Sequence, residues 1–280
     1  LPVGTFVGNN KSIGTDYGYL AGGDAPSAPG QVSTIQRIDF ATDTSTATAR
    51  GPIPGAREKC VAMGNSEYAW IQLGDGASLV SRLIYANDTA VASLRGNTVS
   101  TQPRRFGLQS PSMGYIGGGH PGISTIDRID FSNDSAVALQ RGYLSAGRYQ
   151  AGGMSNESYG YVCGGYTGSA TVSLVDRLDF TNDTGTMVAK GPLNSTIPGG
   201  SGTGNNSYGW FSGGQAVSRL DYSSDTSTTS PKGNLAVNYG SYLGSTGTKS
   251  YGYFMGGSPS DTTVSRIDFS NDSPTATAKG

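Results

Sequence analysis

Six arginines recur along the chain, Arg37, Arg82, Arg128, Arg177, Arg219 and Arg266, and in five cases an aspartate follows two positions later: Asp39, Asp130, Asp179, Asp221 and Asp268. In the second repeat Ile84 stands where that aspartate would be. On a strand, residues two apart leave the same face, so each couple sets a guanidinium beside a carboxylate. A residue copied six times serves the repeat and not one asymmetric site. The expected role is structural: an arginine held between packed units by carboxylate and backbone acceptors, because a buried guanidinium must be paired. The alternative is a ring of anion-binding sites.

A second six-fold set, Asp43, Asp88, Asp134, Asp183, Asp225 and Asp272, lies a few residues further on, mostly in Asn-Asp wording. Such residues suit hairpin turns and should accept local backbone N–H bonds. Calcium binding requires several closely spaced oxygens and a sharp glycine turn, which Ser-Asn-Asp-Ser supplies only in part. The turns also create Asn-X-Ser/Thr sequons at Asn87, Asn133, Asn182 and Asn271, which the turn chemistry explains without a glycan.

Residues outside the repeat pattern are the candidates for a specific site. Arg57, Lys59, Arg104, Arg105 and Arg148 fall before the first strand of the second, third and fourth units. Asp24, Asp75 and Asp261 follow the second strand of units one, two and six, and His120 and Tyr166 occupy the same kind of loop. Both loop types should open on one face. That face is expected to be basic over units two to four and acidic over units six, one and two.

Catalytic chemistry finds little support. A single histidine, His120, excludes a multi-histidine metal site and offers no credible triad. The Gly-Gly pairs end strands and do not precede helices, so they are not phosphate-binding loops. No cofactor is expected. A net charge of −1 argues against a nucleic-acid partner, and no apolar run is long enough for a spanning helix, so no membrane insertion is expected. Cys60 and Cys163 lie in units that are not neighbours and should be buried free thiols.

These residues must be positioned by a repeated element. An aromatic phrase recurs six times, at Tyr17-Gly18-Tyr19, Tyr68-Ala69-Trp70, Met113-Gly114-Tyr115, Tyr159-Gly160-Tyr161, Tyr208-Gly209-Trp210 and Tyr251-Gly252-Tyr253. Every unit also ends in a basic residue and glycine: Arg50-Gly51, Arg95-Gly96, Arg141-Gly142, Lys190-Gly191, Lys232-Gly233 and Lys279-Gly280. Cutting there gives units 1–51, 52–96, 97–142, 143–191, 192–233 and 234–280, which use the whole chain. Charged residues are only 14% of it, below the roughly 25% of an average domain, but the near-zero net charge and regular apolar runs are not those of a disordered chain.

Within unit four the pattern predicts an inner strand over 148–154, a second over 159–163 ending at Gly164-Gly165, a third over 172–180, a turn at Asn182-Asp183 and a fourth strand over 186–190. Four short strands per 45 to 50 residues is the signature of a propeller blade. The expected fold is therefore all-β: one six-bladed propeller of four antiparallel strands per blade. Each blade is contiguous, so no strand exchange is expected at closure, and Leu1 and Gly280 should lie close together.

The order of apolar strand, Gly164-Gly165, variable loop, Val175-Asp176-Arg177-Leu178-Asp179-Phe180, turn, short strand and Gly191-Pro192-Leu193 resembles the kelch repeat. It departs from that family in lacking a fourth-strand tryptophan, with Thr48, Ala138 or Val188 there. The Asp127-Arg128-Ile129-Asp130-Phe131-Ser132-Asn133-Asp134 wording also resembles kelch-like repeats in virion structural proteins of marine tailed phages. That resemblance implies a non-enzymatic module of an extracellular virion, attaching to other virion proteins or to a host surface receptor or glycan. A secreted or cell-surface glycan-binding lectin is the alternative.

Overall fold

The computed structural model describes residues 5–7, 16–24, 30–74, 76–258 and 261–280, with backbone only at 5–7 and 261. It is a ring of six sheets, each of four antiparallel strands in chain order. The first blade is Thr5–Val7, Tyr17–Ala21, Ile35–Asp39 and Thr48–Arg50. The last is Ser241–Gly247, Tyr251–Ser258, Asp261–Asp268 and Thr277–Lys279. No sheet borrows a strand from another part of the chain, so the ring closes by contact between the faces of blades six and one. Leu1, whose proximity to Gly280 was expected, lies outside the described residues.

In the fourth blade the strands are Gly152–Ser155, Tyr159–Cys163, Val175–Asp179 and Val188–Ala189. All are at the expected places, and the first, third and fourth are shorter than the pattern suggests. Residues 148–151 form the loop into the inner strand, where the chain turns sharply enough to place Gln150 at φ 56°.

Apolar packing is organised by seam. Each of the six core clusters joins two successive blades: Tyr19, Ala21 and Ile35 meet Cys60, Ile71 and Leu83, for example, and Tyr253, Met255 and Val264 meet Leu20 and Ile38 across the closing seam. Neither cysteine is in a disulfide and both are fully buried, and burial pushes the Cys163 thiol up, which keeps it protonated.

The repeated polar residues complete each seam. In every blade the second-strand aromatic lies directly opposite the third-strand arginine in the antiparallel register: Tyr19 with Arg37, Trp70 with Arg82, Tyr115 with Arg128, Tyr161 with Arg177, Trp210 with Arg219, Tyr253 with Arg266. Opposed residues share a face, and that face meets the turn aspartate of the next blade. Asp88 accepts from Tyr19 at 3.1 Å and Arg37 at 2.9 Å, with Arg50 within 3.3 Å. Asp134 accepts from the Trp70 indole at 2.8 Å and Arg82 at 2.9 Å. Asp183, Asp225 and Asp272 repeat the arrangement with Tyr115 and Arg128, Tyr161 and Arg177, and Trp210 and Arg219. Asp43 does so across the closing seam, with Tyr253 at 3.0 Å, Arg266 at 2.8 Å and Lys279 at 3.2 Å.

Two expectations change places here. The arginines are held between blades as expected, but their carboxylate is the turn aspartate of the next blade and not the strand aspartate two positions on. The strand aspartates perform the local turn capping instead: Asp130 accepts from the Ser132 amide at 2.8 Å, and Asp39, Asp179, Asp221 and Asp268 from the corresponding amides at 2.9 Å. The strand end is where the chain bends, so its carboxylate has amide donors two residues away. The turn aspartate, projecting beyond the bend, meets only the neighbouring blade. Its oxygens are occupied by cationic and hydroxyl or indole donors, which is a poor setting for calcium.

Burial by itself would raise the carboxyls of Asp43 and Asp183. The hydrogen bonds from Lys279, Tyr253 and Arg266 to the first, and from Arg141 and Arg128 to the second, hold both below the usual carboxylate range. The partner phenols of Tyr19, Tyr115, Tyr161 and Tyr253 move up, through burial first and the adjacent carboxylate second.

Candidate functional site

Subtracting the seams leaves one face with a composition of its own. At the entry to the inner strand the backbone turns left-handed in blades two to six: two residues before the strand at Lys59 (φ 55°), Arg104 (63°), Gln150 (56°) and Gly199 (62°), and at Tyr242 (64°), the second residue of Ser241–Gly247. Only glycine adopts this conformation without cost, so four side-chain-bearing residues there are held by their surroundings. A chain of backbone bonds shows how: the Gln150 amide donates to the Arg104 carbonyl at 3.0 Å, Gly199 to Gln150 at 2.9 Å and Tyr242 to Gly199 at 2.7 Å. These residues form a collar around one mouth of the central channel.

Below the collar is a cavity of about 130 Å³ lined by the inner strands of blades two to six. Lys59, Arg104, Gln150 and Tyr242 stand at its rim, with Ser201, Thr203 and Ser245 further in. The Gln150 side-chain amide donates to the Tyr242 hydroxyl. The Arg104 guanidinium lies 5.9 Å from the Tyr149 ring and 6.0 Å from the Tyr242 ring. Lys59 is ion-paired with Glu58. Outward from Tyr149 runs an aromatic path, to Tyr166 at 5.3 Å and to the exposed His120 at 5.0 Å.

The expected basic patch is thus only partly a surface. Arg105 and Arg148 are buried and belong to the scaffold: Arg105 pairs with Asp127 at 2.9 Å and donates to the Ile116 and Ser100 carbonyls. Arg148 pairs with Asp176 at 2.8 Å and donates to the Ala146, Val162 and Gly164 carbonyls. From different sequence positions the two guanidinia reach equivalent third-strand carboxylates. Burial lowers the Arg105 pKa and Asp127 opposes that, so it stays charged.

Arg57 is half-buried, and its Nε has no hydrogen-bond partner. Lys59 and Arg104 reach the collar, and His120 and Tyr166 lie beside it. Of the acidic set, Asp24 is exposed and bridged to Gln31 through the backbone. Asp75 and the Asp261 side chain lie outside the described residues. Gln150, Tyr149 and Tyr242 carry no charge and so do not stand out from the sequence as the basic and acidic residues do. The available signal was positional: the entry to the inner strand holds Lys59, Arg104, Gln150, Gly199 and Tyr242 in turn, a different residue type in each of blades two to six.

Among the described residues there is no cluster of three or more His, Cys, Asp or Glu arranged to hold a metal ion, and no helix long and apolar enough to cross a membrane. No family model and no curated protein matches the sequence. A solved structure described as "Structure of YjhT" superposes with a TM-score of 0.73 over 100% of this chain and 98% of that one, at 13% identity. At that identity the likeness concerns the fold alone, and it is the fold the strands describe: a six-bladed β-propeller.

Proposed function

We propose that this propeller is a non-catalytic attachment module of a tailed-phage virion, kelch-like in its repeat, that presents the channel-mouth face to another virion protein or to a receptor or glycan on the host surface. The observation that carries the binding role is the segregation of residues. The aromatic, arginine and basic positions shared by all six blades are consumed in the seams, and what remains at the collar, Arg104, Gln150, Tyr242 and the path from Tyr149 to His120, has no structural task that repeats. A rigid scaffold bearing variable loops is the usual setting for recognition. The phage assignment rests on the wording of the repeat around Asp127 to Asp134.

The second reading, a secreted or cell-surface glycan-binding lectin, is favoured by the aromatic path that leads from the buried Tyr149 to the exposed His120 beside a hydroxyl-lined cavity. Binding of the labelled chain to marine bacterial cells and to a glycan array tests both. Attachment to cells that is lost with His120→Ala or Tyr166→Ala but is not competed by saccharides supports protein recognition; saccharide binding lost in the same variants supports the lectin. Retention of all binding in both variants would remove this face from the function.

A further inference from the structure

We propose that the channel mouth binds a small hydroxylated molecule carrying a carboxylate or phosphate, with Arg104 as its anion anchor and Gln150 and Tyr242 as orienting groups. The proposal rests on the reading of this face as the binding face, and adds the chemical class of the ligand.

Charge bookkeeping singles out Arg104. Among the described residues the arginines of the seams are neutralised by turn aspartates, and Arg105 and Arg148 by Asp127 and Asp176. Among the described arginines, Arg57 and Arg104 are the two with no carboxylate within ion-pair distance, and Arg104 is the one on the cavity lining. It is not loosely placed. Its backbone is fixed in the left-handed region by the collar, and two tyrosine rings flank its guanidinium, which orients a cation without cancelling its charge. A guanidinium retains a planar fork of donors that matches carboxylate or phosphate.

The neighbours supply complementary groups. Because the Gln150 amide donates to the Tyr242 oxygen, the Tyr242 hydroxyl keeps its proton to give, and the Gln150 carbonyl keeps an acceptor. Within the cavity the Ser201 and Ser245 hydroxyls bond each other at 2.6 Å. Thr203 also lines the cavity, but its hydroxyl is turned toward Gly247 of blade six and is closed off from that space. The volume, about 130 Å³, is close to that of cavities of roughly 150 Å³ that hold one benzene-sized ring.

Isothermal titration of the whole chain with glucuronate, glucose 6-phosphate and glucose tests this. Expected are binding of one or both acids with glucose at least tenfold weaker, and a loss of tenfold or more in affinity for the acid in Arg104→Gln, whose thermal midpoint should match the parent because Arg104 takes part in no seam. Binding of glucuronate alone or of the phosphate alone assigns the anion. The proposal is overturned by no binding of either acid, by glucose binding equally well, or by Arg104→Gln binding like the parent. Cell attachment measured in Arg104→Gln separates the two readings: attachment that persists while no acid binds defeats the anion site and leaves the attachment role standing.

Discussion

Arg266 donates to Asp43 at 2.8 Å across 223 positions of sequence, the same contact that Arg37 makes with Asp88 across 51. The closing seam therefore uses the same chemistry as the five internal ones, but its two sides are joined by no peptide connection. Replacing Asp43 by alanine strands the Arg266, Tyr253 and Lys279 donors together. Loss of a largely buried acceptor shared by a cation and a phenol should cost about 2 to 4 kcal/mol, read from the urea midpoint. Asp183→Ala, at an internal seam, should cost a similar amount; a near-neutral Asp43→Ala would show that apolar packing alone closes the ring.

The glycine after each terminal basic residue has a second task at the seam. The Gly96 amide donates to the Asp134 carbonyl at 2.7 Å, and a β-carbon on Gly96 would collide with the Ala136 carbonyl, which is backbone and cannot swing aside. Gly96→Ala should therefore destabilise by about 3 kcal/mol, the upper end of overpacking costs. Gly185→Ala is the control, since nothing lies within 4 Å of its added carbon, and should stay within about 0.5 kcal/mol of the parent. Equal midpoints for the two variants would contradict this account.

The blades were legible because strand signals are local: alternating apolar runs bounded by Gly-Gly and Asn-Asp. The seam partner was not, because the acceptor of each arginine lies one blade away and the sequence offers a nearer carboxylate on the same face. Arg105 and Arg148 were misplaced for a related reason, although a clue existed. Only blades three and four have an aspartate, Asp127 and Asp176, immediately before the seam arginine, where the others have Gln36, Ser81, Ser218 and Ser265. Those are the two blades with a deep arginine to neutralise. The collar was illegible in a stricter sense, since left-handed geometry at Arg104, Gln150 and Tyr242 goes with bonds between blades and not with residue type.

The one irregular strand end gives a stabilising prediction. Asp221 caps the turn Tyr222–Ser224 by accepting from the Ser223 amide, whereas the matching turn Tyr85–Asn87 follows Ile84 and has no side-chain cap. Ile84 is 38% exposed, so little burial is lost on replacing it. Ile84→Asp should add roughly 0.5 to 1 kcal/mol and raise the thermal midpoint, while Asp221→Ala should lower it by a like amount.

Acid should act on the ring through the same carboxylates. Asp43 and Asp183 at the seams, and Asp130, Asp179, Asp221 and Asp268 at the strand ends, all have lowered pKa values, the last four chiefly through the hydroxyls of Ser132, Thr181, Ser223 and Ser270. A group whose folded pKa lies below its unfolded value of about 3.9 contributes fully above that value and progressively less as pH falls through the folded pKa. These aspartates should thus leave stability flat between about pH 5 and 8, and it should decline below about pH 4. The sign is checked in Asp43→Asn, which cannot titrate at this position: the gap in thermal midpoint between it and the parent should be largest above pH 5 and narrow steadily toward pH 2. A gap independent of pH would mean that Asp43 has the same proton affinity in the folded and unfolded chain, and that its bonds to Arg266, Tyr253 and Lys279 do not favour the ionised form.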